Sequence, residues 1–195
     1  MEEKTLVSPV NKLIFMANTD SLLASSGDVS FYFSKYIDDK LAPQRVIIEL
    51  KKNKLHSEKI KEIISELKVN EELSILSLIK IEGHIYHLPM VDFLSKKRTT
   101  KSIEVANEIA FFWNMRFDIY DSGRSIHAYG SKLLSTPQWI SFMGSLLLLN
   151  DKSGEKVVDT RWIGHRLMSG FASLRVSNNS GKHKSAPKYI GSTDL

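Results

Sequence analysis

The stretch from Met115 to Tyr129 constrains the fold most. Two short strand-type runs, Met115 to Tyr120 and Ser125 to Tyr129, are separated only by Asp121-Ser122-Gly123-Arg124. A connection that short, with a glycine in it, is a tight turn, and strands joined by a tight turn run antiparallel. Helix-type segments flank this hairpin on both sides. The chain therefore reads as α+β with an at least partly antiparallel sheet flanked by helices.

The remaining segments fill in that reading. Asn11 to Ala24 carries Leu13, Ile14, Met16, Ala17, Leu22 and Leu23, a short helix ending in the turn Ser25-Ser26-Gly27-Asp28. Val29 to Ile37 and Arg45 to Leu50 are rich in β-branched and aromatic residues and predict strands. His56 to Val69 places Ile60, Ile63, Ile64 and Leu67 at helical spacing, with Ser57 as the cap. Leu73 to Leu94 is a long apolar stretch broken by Gly83 and Pro89, a strand pair ending in the strand Leu88 to Phe93. Thr99 to Asn114 predicts a helix with Ile103, Ala106, Ile109, Ala110 and Trp113 on one stripe. Thr136 to Asn150, with Pro137 just inside a threonine, predicts another. A turn at Gly154 precedes a strand, Lys156 to Asp159. Phe171 to Ser177 is the last regular segment, and Asn178 to Ser185 is a polar loop. There is no internal repeat. The 195 residues form one domain, 1–195, with an N-terminal α/β lobe over 1–72 and a second lobe over 73–190.

Composition excludes several classes. At 42 % hydrophobic and 25 % charged residues the chain is an ordinary globular protein. With no cysteine, disulfide scaffolds, thiolate zinc, iron–sulfur clusters and thiol nucleophiles are out. The start, Met1-Glu2-Glu3-Lys4, lacks a signal-peptide core, and no apolar run approaches the roughly 20 residues of a membrane span. The expectation is a cytoplasmic protein without membrane partners. The net charge of +5 leans toward an anionic partner. Basic residues bunch at Lys51, Lys52 and Lys54, at Lys96, Lys97, Arg98 and Lys101, and at Lys182, Lys184 and Lys188. Such bunches serve as solvated loop surface or as nucleic-acid contacts.

Side chains with chemistry cluster around the hairpin. On a strand Ser125 and His127 point to one face, while Ile126 and Ala128 point to the other. A hydroxyl and an imidazole side by side, next to a turn carrying Arg124, form a donor set for phosphate. Asp92 ends the run Leu88-Pro89-Met90-Val91-Asp92-Phe93, and Asp159 ends Val157-Val158-Asp159. An aspartate there is a turn former or helix cap. If the two converge, they make a hard-oxygen site suited to Mg2+ or Mn2+. Asp118 and Asp121 are further carboxylates near the hairpin.

In order, the chain offers a strand with Asp92, a helix, a strand, a Ser-Gly-x-x-x-His hairpin (Ser122, Gly123, His127), and a hydrophobic-hydrophobic-Asp strand (Val157, Val158, Asp159). A Leu-Arg segment follows. That order resembles the archaeo-eukaryotic primase superfamily, the catalytic small subunits of primase and the primase-polymerases. Asp92 matches the first half of the family's Asp-x-Asp motif, and Leu94 stands where the second carboxylate belongs. Ser125 and His127 match Ser-x-His, and Val158 with Asp159 match the third motif. Trp162-Ile163-Gly164-His165-Arg166-Leu167 and Ser173-Leu174-Arg175 are similar to downstream His-Leu and Leu-Arg elements. The likeness runs roughly from Leu73 to Pro187 and fits a one-Asp primase-like variant.

The resemblance implies an RRM-like sheet and nucleotidyl transfer from an NTP or dNTP onto a DNA or RNA 3′ end, on two divalent ions, Mg2+ or Mn2+. Asp92, Asp159 and His127 are then the catalytic candidates. Asp92 and Asp159 are metal ligands, with Asp121 or Asp118 standing in for the missing carboxylate. Arg124, Ser125, His127, His165 and Arg175 contact phosphates or primer. It also implies a possible partner protein subunit within a larger nucleic-acid-processing or defence assembly. The alternative is a catalytically degraded primase fold that binds nucleic acid or nucleotide, held by salt-dependent backbone contacts. Trp113, Trp139 and Trp162 would stack on bases if exposed, although helical spacing assigns Trp113 and Trp139 to the core. A metal hydrolase built on His84 and His87 is disfavoured, because strand alternation sends the two imidazoles to opposite faces.

Overall fold

The computed structural model describes residues 7–37, 45–94, 100–150 and 156–194, with the side chains of residues 100 and 101 left aside. Helix α1 (Pro9–Thr19) opens on Ser8, whose hydroxyl accepts from the Asn11 amide, with proline at the first helical position. The helix expected to run to Ala24 is cut at Asp20, which instead caps α2 (Ser21–Ser25) by accepting from the amides of Leu22 and Leu23. Strands β1 (Val29–Ile37) and β2 (Arg45–Lys51) pair antiparallel. Helix α3 (Ser57–Ser65) is shorter than its periodicity suggested. Its cap is His56, not Ser57: the ring Nδ1 accepts from the Lys59 amide at 3.2 Å.

The apolar stretch after α3 is three strands rather than two. β3 (Glu71–Ile81) turns into β4 (His84–His87) through Glu82 and Gly83, both with positive φ, the two-residue turn that suits a twisted hairpin. Pro89, which has no amide hydrogen to give a ladder, then passes the chain to β5 (Met90–Phe93) in a second sheet. Next come α4 (Thr100–Trp113), β6 (Phe117–Asp121), β7 (Ile126–Gly130), β8 (Leu134–Ser135) and α5 (Thr136–Leu147). The expected strand over Lys156–Asp159 is reduced to one bridge between Val158 and Phe93. A helix the periodicity did not show follows at once, α6 (Thr160–Ser169). β9 (Ser173–Arg175) and β10 (Lys188–Ser192) complete the fold.

Two sheets result, antiparallel throughout. The first runs β2-β1-β3-β4-β8, with β9 pairing the start of β3; the second runs β10-β6-β7-β5. The architecture is α+β. One continuous core contains Phe31, Phe33, Ile75, Phe93, Phe117, Trp139 and Phe142. Trp139 stacks on His87 at 4.5 Å between centroids, so it packs the core, while Trp113 and Trp162 are half-buried. His87 is buried against Ser77 and Thr136, whereas His84 is exposed. Lys51 bonds Asp28 at 2.6 Å and Lys52 bonds the carbonyls of Leu23 and Ala24, so part of that bunch braces the fold. Lys96, Lys97, Arg98, the side chain of Lys101 and the expected turn at Gly154 lie outside the described residues. No described helix is long and apolar enough to cross a membrane.

Candidate active site

Strand register brings the central residues together. Opposite residues in an antiparallel pair share a face, and β5–β7 pairing sets Asp92 opposite His127. On the other edge of β5 the bridge joins Phe93 to Val158, and the Asp159 amide donates to the Asp92 carbonyl at 3.1 Å. Continuing that register puts Asp159 opposite Asp92. Asp159, Asp92 and His127 thus form one row across three adjacent segments. Ser125, two residues before His127, reaches the same face, and its hydroxyl donates to Asp92 Oδ1 at 3.1 Å. His127 Nε2 lies 3.8 Å from that oxygen.

The row is electrostatically tense. Burial raises the Asp92 pKa to about 7; the Ser125 hydrogen bond opposes this, the neighbouring Asp159 carboxylate adds to it, and Arg166 and Arg175 oppose it. Burial, with the charges of Arg175 and His183, pushes His127 down to about 3, so its imidazole is neutral at physiological pH. Asp159 Oδ1 caps α6 by accepting from the amides of Arg161 (2.9 Å) and Trp162 (3.0 Å). The helix-cap reading and the site reading thus meet in one side chain, one oxygen serving the cap.

The facing wall comes from the first sheet. Pairing of β1, β2, β3 and β9 gathers Ser34, Tyr36, Arg45, Glu72, Ser74, Ser173 and Arg175 on one face. Arg45 lies over the Tyr36 ring at 4.5 Å and donates to Ser34 at 2.9 Å. From α6, Arg166 is buried over this wall and donates to Ser173 at 2.8 Å. Burial lowers its pKa to about 10, and it stays a cation. Three buried polar atoms here, His127 Nδ1, the Tyr129 hydroxyl and Arg166 Nε, have no hydrogen-bond partner among the described residues. Buried polar groups are normally satisfied, and such orphans fit a polar ligand.

Other expected residues lie elsewhere. Asp121 pairs with Ile126 and Lys188, on the face opposite Asp92, and its carboxylate accepts from the Gly123 amide at 2.8 Å. It is a turn former, and the register does not bring it to Asp92 and Asp159. Asp118 is buried in an ion pair with Lys12 of α1 and accepts from Ser192 at 2.7 Å. Arg124 is exposed on the turn, and His165 is half-buried on α6 with no contact to Asp92 among the described residues. Arg175 is buried, and its guanidinium is occupied by the carbonyls of Ser177, Ser122 and Ser185. Arg166, Tyr129 and Arg45 are the neighbours that motif reading passed over. For the wall around Arg45 the signal was the polar alternation Ser34-x-Tyr36 and Glu72-x-Ser74 in β1 and β3; Arg166 and Tyr129 carried none.

The model of the archaeo-eukaryotic primase 1D-like family matches residues 51–188, most of the chain. The chain belongs to the archaeo-eukaryotic primase-like family. No curated protein and no solved structure gives a significant match. The primase-like match spans every residue of the row and both walls except those of β1 and β2 before residue 51. Members of this family generally work with divalent metals. The donor set here fits one such ion: two opposed carboxylates, one of them, Asp92, raised toward neutrality chiefly by burial. Among the described residues there is no cluster of three or more carboxylate or imidazole ligands.

Proposed function

We propose that this primase-like domain binds a nucleoside triphosphate with a single Mg2+ or Mn2+ and transfers its nucleotidyl group to the 3′ hydroxyl of a nucleic acid, with pyrophosphate leaving. The observation that carries the reading is the row Asp159–Asp92–His127 with Ser125 bonded to Asp92. Asp92 and Asp159 hold the ion, which when bound supplies positive charge beside the triphosphate and the attacking hydroxyl. Ser125 fixes the Asp92 carboxylate by its hydrogen bond. Neutral His127 gives one N–H to a phosphate oxygen, and Arg166, with an N–H to spare, gives another at full charge. Arg124 approaches the phosphates from the turn. Arg175 acts indirectly, by holding Ser122 and Ser185 in place.

A second reading has a specific observation behind it. Leu94 occupies the position of the second motif carboxylate, so the site would bind a nucleotide without turning it over. Calorimetric titration with ATP and with dATP in Mn2+, on the wild type, Asp92→Asn and His127→Ala, separates the readings when followed by primer extension on the same samples. Binding lost in both variants, with wild-type extension that needs Mn2+ or Mg2+, is expected. Binding without extension moves the protein to the nucleotide-binding reading. Wild-type-like binding in both variants overturns the site.

A further inference from the structure

The loop Asn178–Pro187 is polar and basic, and such a sequence has no apolar reason to hold one shape. Here it is fixed at both ends. At the start, Glu72, wholly buried at the edge of β3, accepts from the Ser177 hydroxyl, from the Asn179 amide at 3.1 Å, and from the Ser180 amide and hydroxyl at 2.9 and 2.6 Å. Burial pushes the Glu72 pKa up, but these hydrogen bonds outweigh it and hold the carboxyl below its usual range, so it is an anion. The Asn179 side chain adds bonds to the carbonyls of Lys68 (2.9 Å) and Glu71 (3.0 Å).

At the far end, Arg175 reaches the Ser185 carbonyl at 3.3 Å while also holding the Ser122 carbonyl of the hairpin turn. The two loops touch. A Cβ built on Gly123 would lie 2.9 Å from the Ser185 amide nitrogen and 3.3 Å from that of Lys184. His183, half-buried between the loop ends, lies close enough for its charge to act on His127. Lys182 and Lys184 are exposed, as is Arg124 on the abutting turn, and Lys188 follows at the start of β10. At the start of the abutting turn, Asp121 Oδ1 accepts from the Gly123 amide.

We infer that Lys182 and Lys184, held beside the Ser122–Ser125 turn by Glu72, Arg175 and Gly123, form a contact surface for the backbone phosphates of a nucleic-acid strand. The inference rests on the proposed function and supplies the strand whose 3′ end would enter the site. A polymer is favoured over the triphosphate by position. The buried donors His127 and Arg166 face the carboxylate row, whereas these lysines stand on the outer rim, where a strand could pass. Two point charges on exposed stems give affinity and salt dependence without base reading. Glu72 and Arg175 are positioning residues in this scheme.

The test is binding of a fluorescent single-stranded oligonucleotide, without nucleotide or metal, across a salt series, for wild type and Lys182→Ala/Lys184→Ala. Each phosphate contact on a single strand contributes about 0.7 to the slope of log affinity against log salt, so the double variant should lose about 1.4. Counted from 1 M, that is roughly a 25-fold loss of affinity at 0.1 M salt. ATP–Mn2+ binding should be unchanged in the same variant. Unchanged slope and affinity, or no oligonucleotide binding by the wild type, overturns the inference. Loss of ATP binding with oligonucleotide binding intact does so too, by assigning the lysines to the triphosphate. Lysine-dependent oligonucleotide binding in a wild type that binds no ATP keeps the surface and overturns the catalytic reading alone.

Discussion

Gly123→Ala tests whether the hairpin turn and the basic loop are packed as a rigid unit. Gly123 sits at φ +85°, where an alanine costs about 1–2 kcal/mol. Its added Cβ would also lie 2.9 Å from the Ser185 nitrogen, 3.2 Å from the Ser185 oxygen and 3.3 Å from the Lys184 nitrogen. All three are backbone atoms, so no side-chain rotation relieves the contact, and overpacking of this kind costs a further 1–3 kcal/mol or about that. Gly83 is the control. It has nearly the same φ, +83°, with nothing within 4 Å of the added carbon, so Gly83→Ala carries the conformational cost alone. Both variants stiffen the unfolded chain by a similar 0.4–1 kcal/mol or so, which cancels in the comparison. Urea unfolding followed by circular dichroism should place Gly123→Ala about 1–3 kcal/mol below Gly83→Ala at equal m-value, a gap of roughly 2–12 °C in Tm for a domain of this size. Gly123→Ala should also weaken oligonucleotide binding, and Gly83→Ala should not. Equal stability of the two variants would mean the loop yields freely, and the argument for a fixed basic rim would fail with it.

Asp159→Ala should cost about 1 kcal/mol through loss of the α6 cap and should abolish Mn2+ binding, while Asp159→Asn keeps the cap and still loses the ion. Urea curves and Mn2+ titration on both variants check this, and Mn2+ binding by Asp159→Asn would remove the carboxylate from the site. His87 gives a pH dependence. Burial lowers its pKa to about 4, so as pH falls below about 6.5 the unfolded chain takes up the proton first. Stability should therefore be intact above that pH and be lost between about 6.5 and 4, by up to about 2–3 kcal/mol, with His87→Gln showing a flatter curve over the same window.

The hairpin was legible because its information is local. A glycine turn between two short alternating runs fixes the register of β6 and β7, and with it the shared face of Ser125 and His127. Asp92 and Asp159 were legible as candidates but not as neighbours. Their meeting depends on pairings between β5, β7 and the segment before α6, set by the whole core. Helix α6 escaped notice because its buried stripe pairs Ile163 with a charged residue, Arg166, because an apolar residue, Met168, is exposed, and because its cap reads equally well as a strand end. Glu72 was hidden by type: a glutamate beside another at a strand edge reads as surface, and only the loop folded over it makes it a buried anchor. Arg175 matched a motif, yet the phosphate contact expected of it is taken up by three carbonyls. A motif match fixes where a residue sits in the fold but not what its donors bond.

Leu94 is where sequence and geometry bear most directly on mechanism. Its amide donates to the Val157 carbonyl, so the extended pairing of β5 continues to it, and strand alternation puts its side chain on the face of Asp92. It is 41 % exposed, so a carboxylate there would remain in contact with water and need no buried partner. Leu94→Asp would then add a third carboxylate along the edge that already carries Asp92 and Asp159. If the site is a primase centre short of one ligand, this substitution should raise Mn2+ affinity or stoichiometry in calorimetric titration and increase primer extension, at a stability cost of less than about 1 kcal/mol. Unchanged metal binding in a folded Leu94→Asp variant would mean that Leu94 does not occupy a ligand position. The row would then act through Asp92, Asp159 and His127 alone.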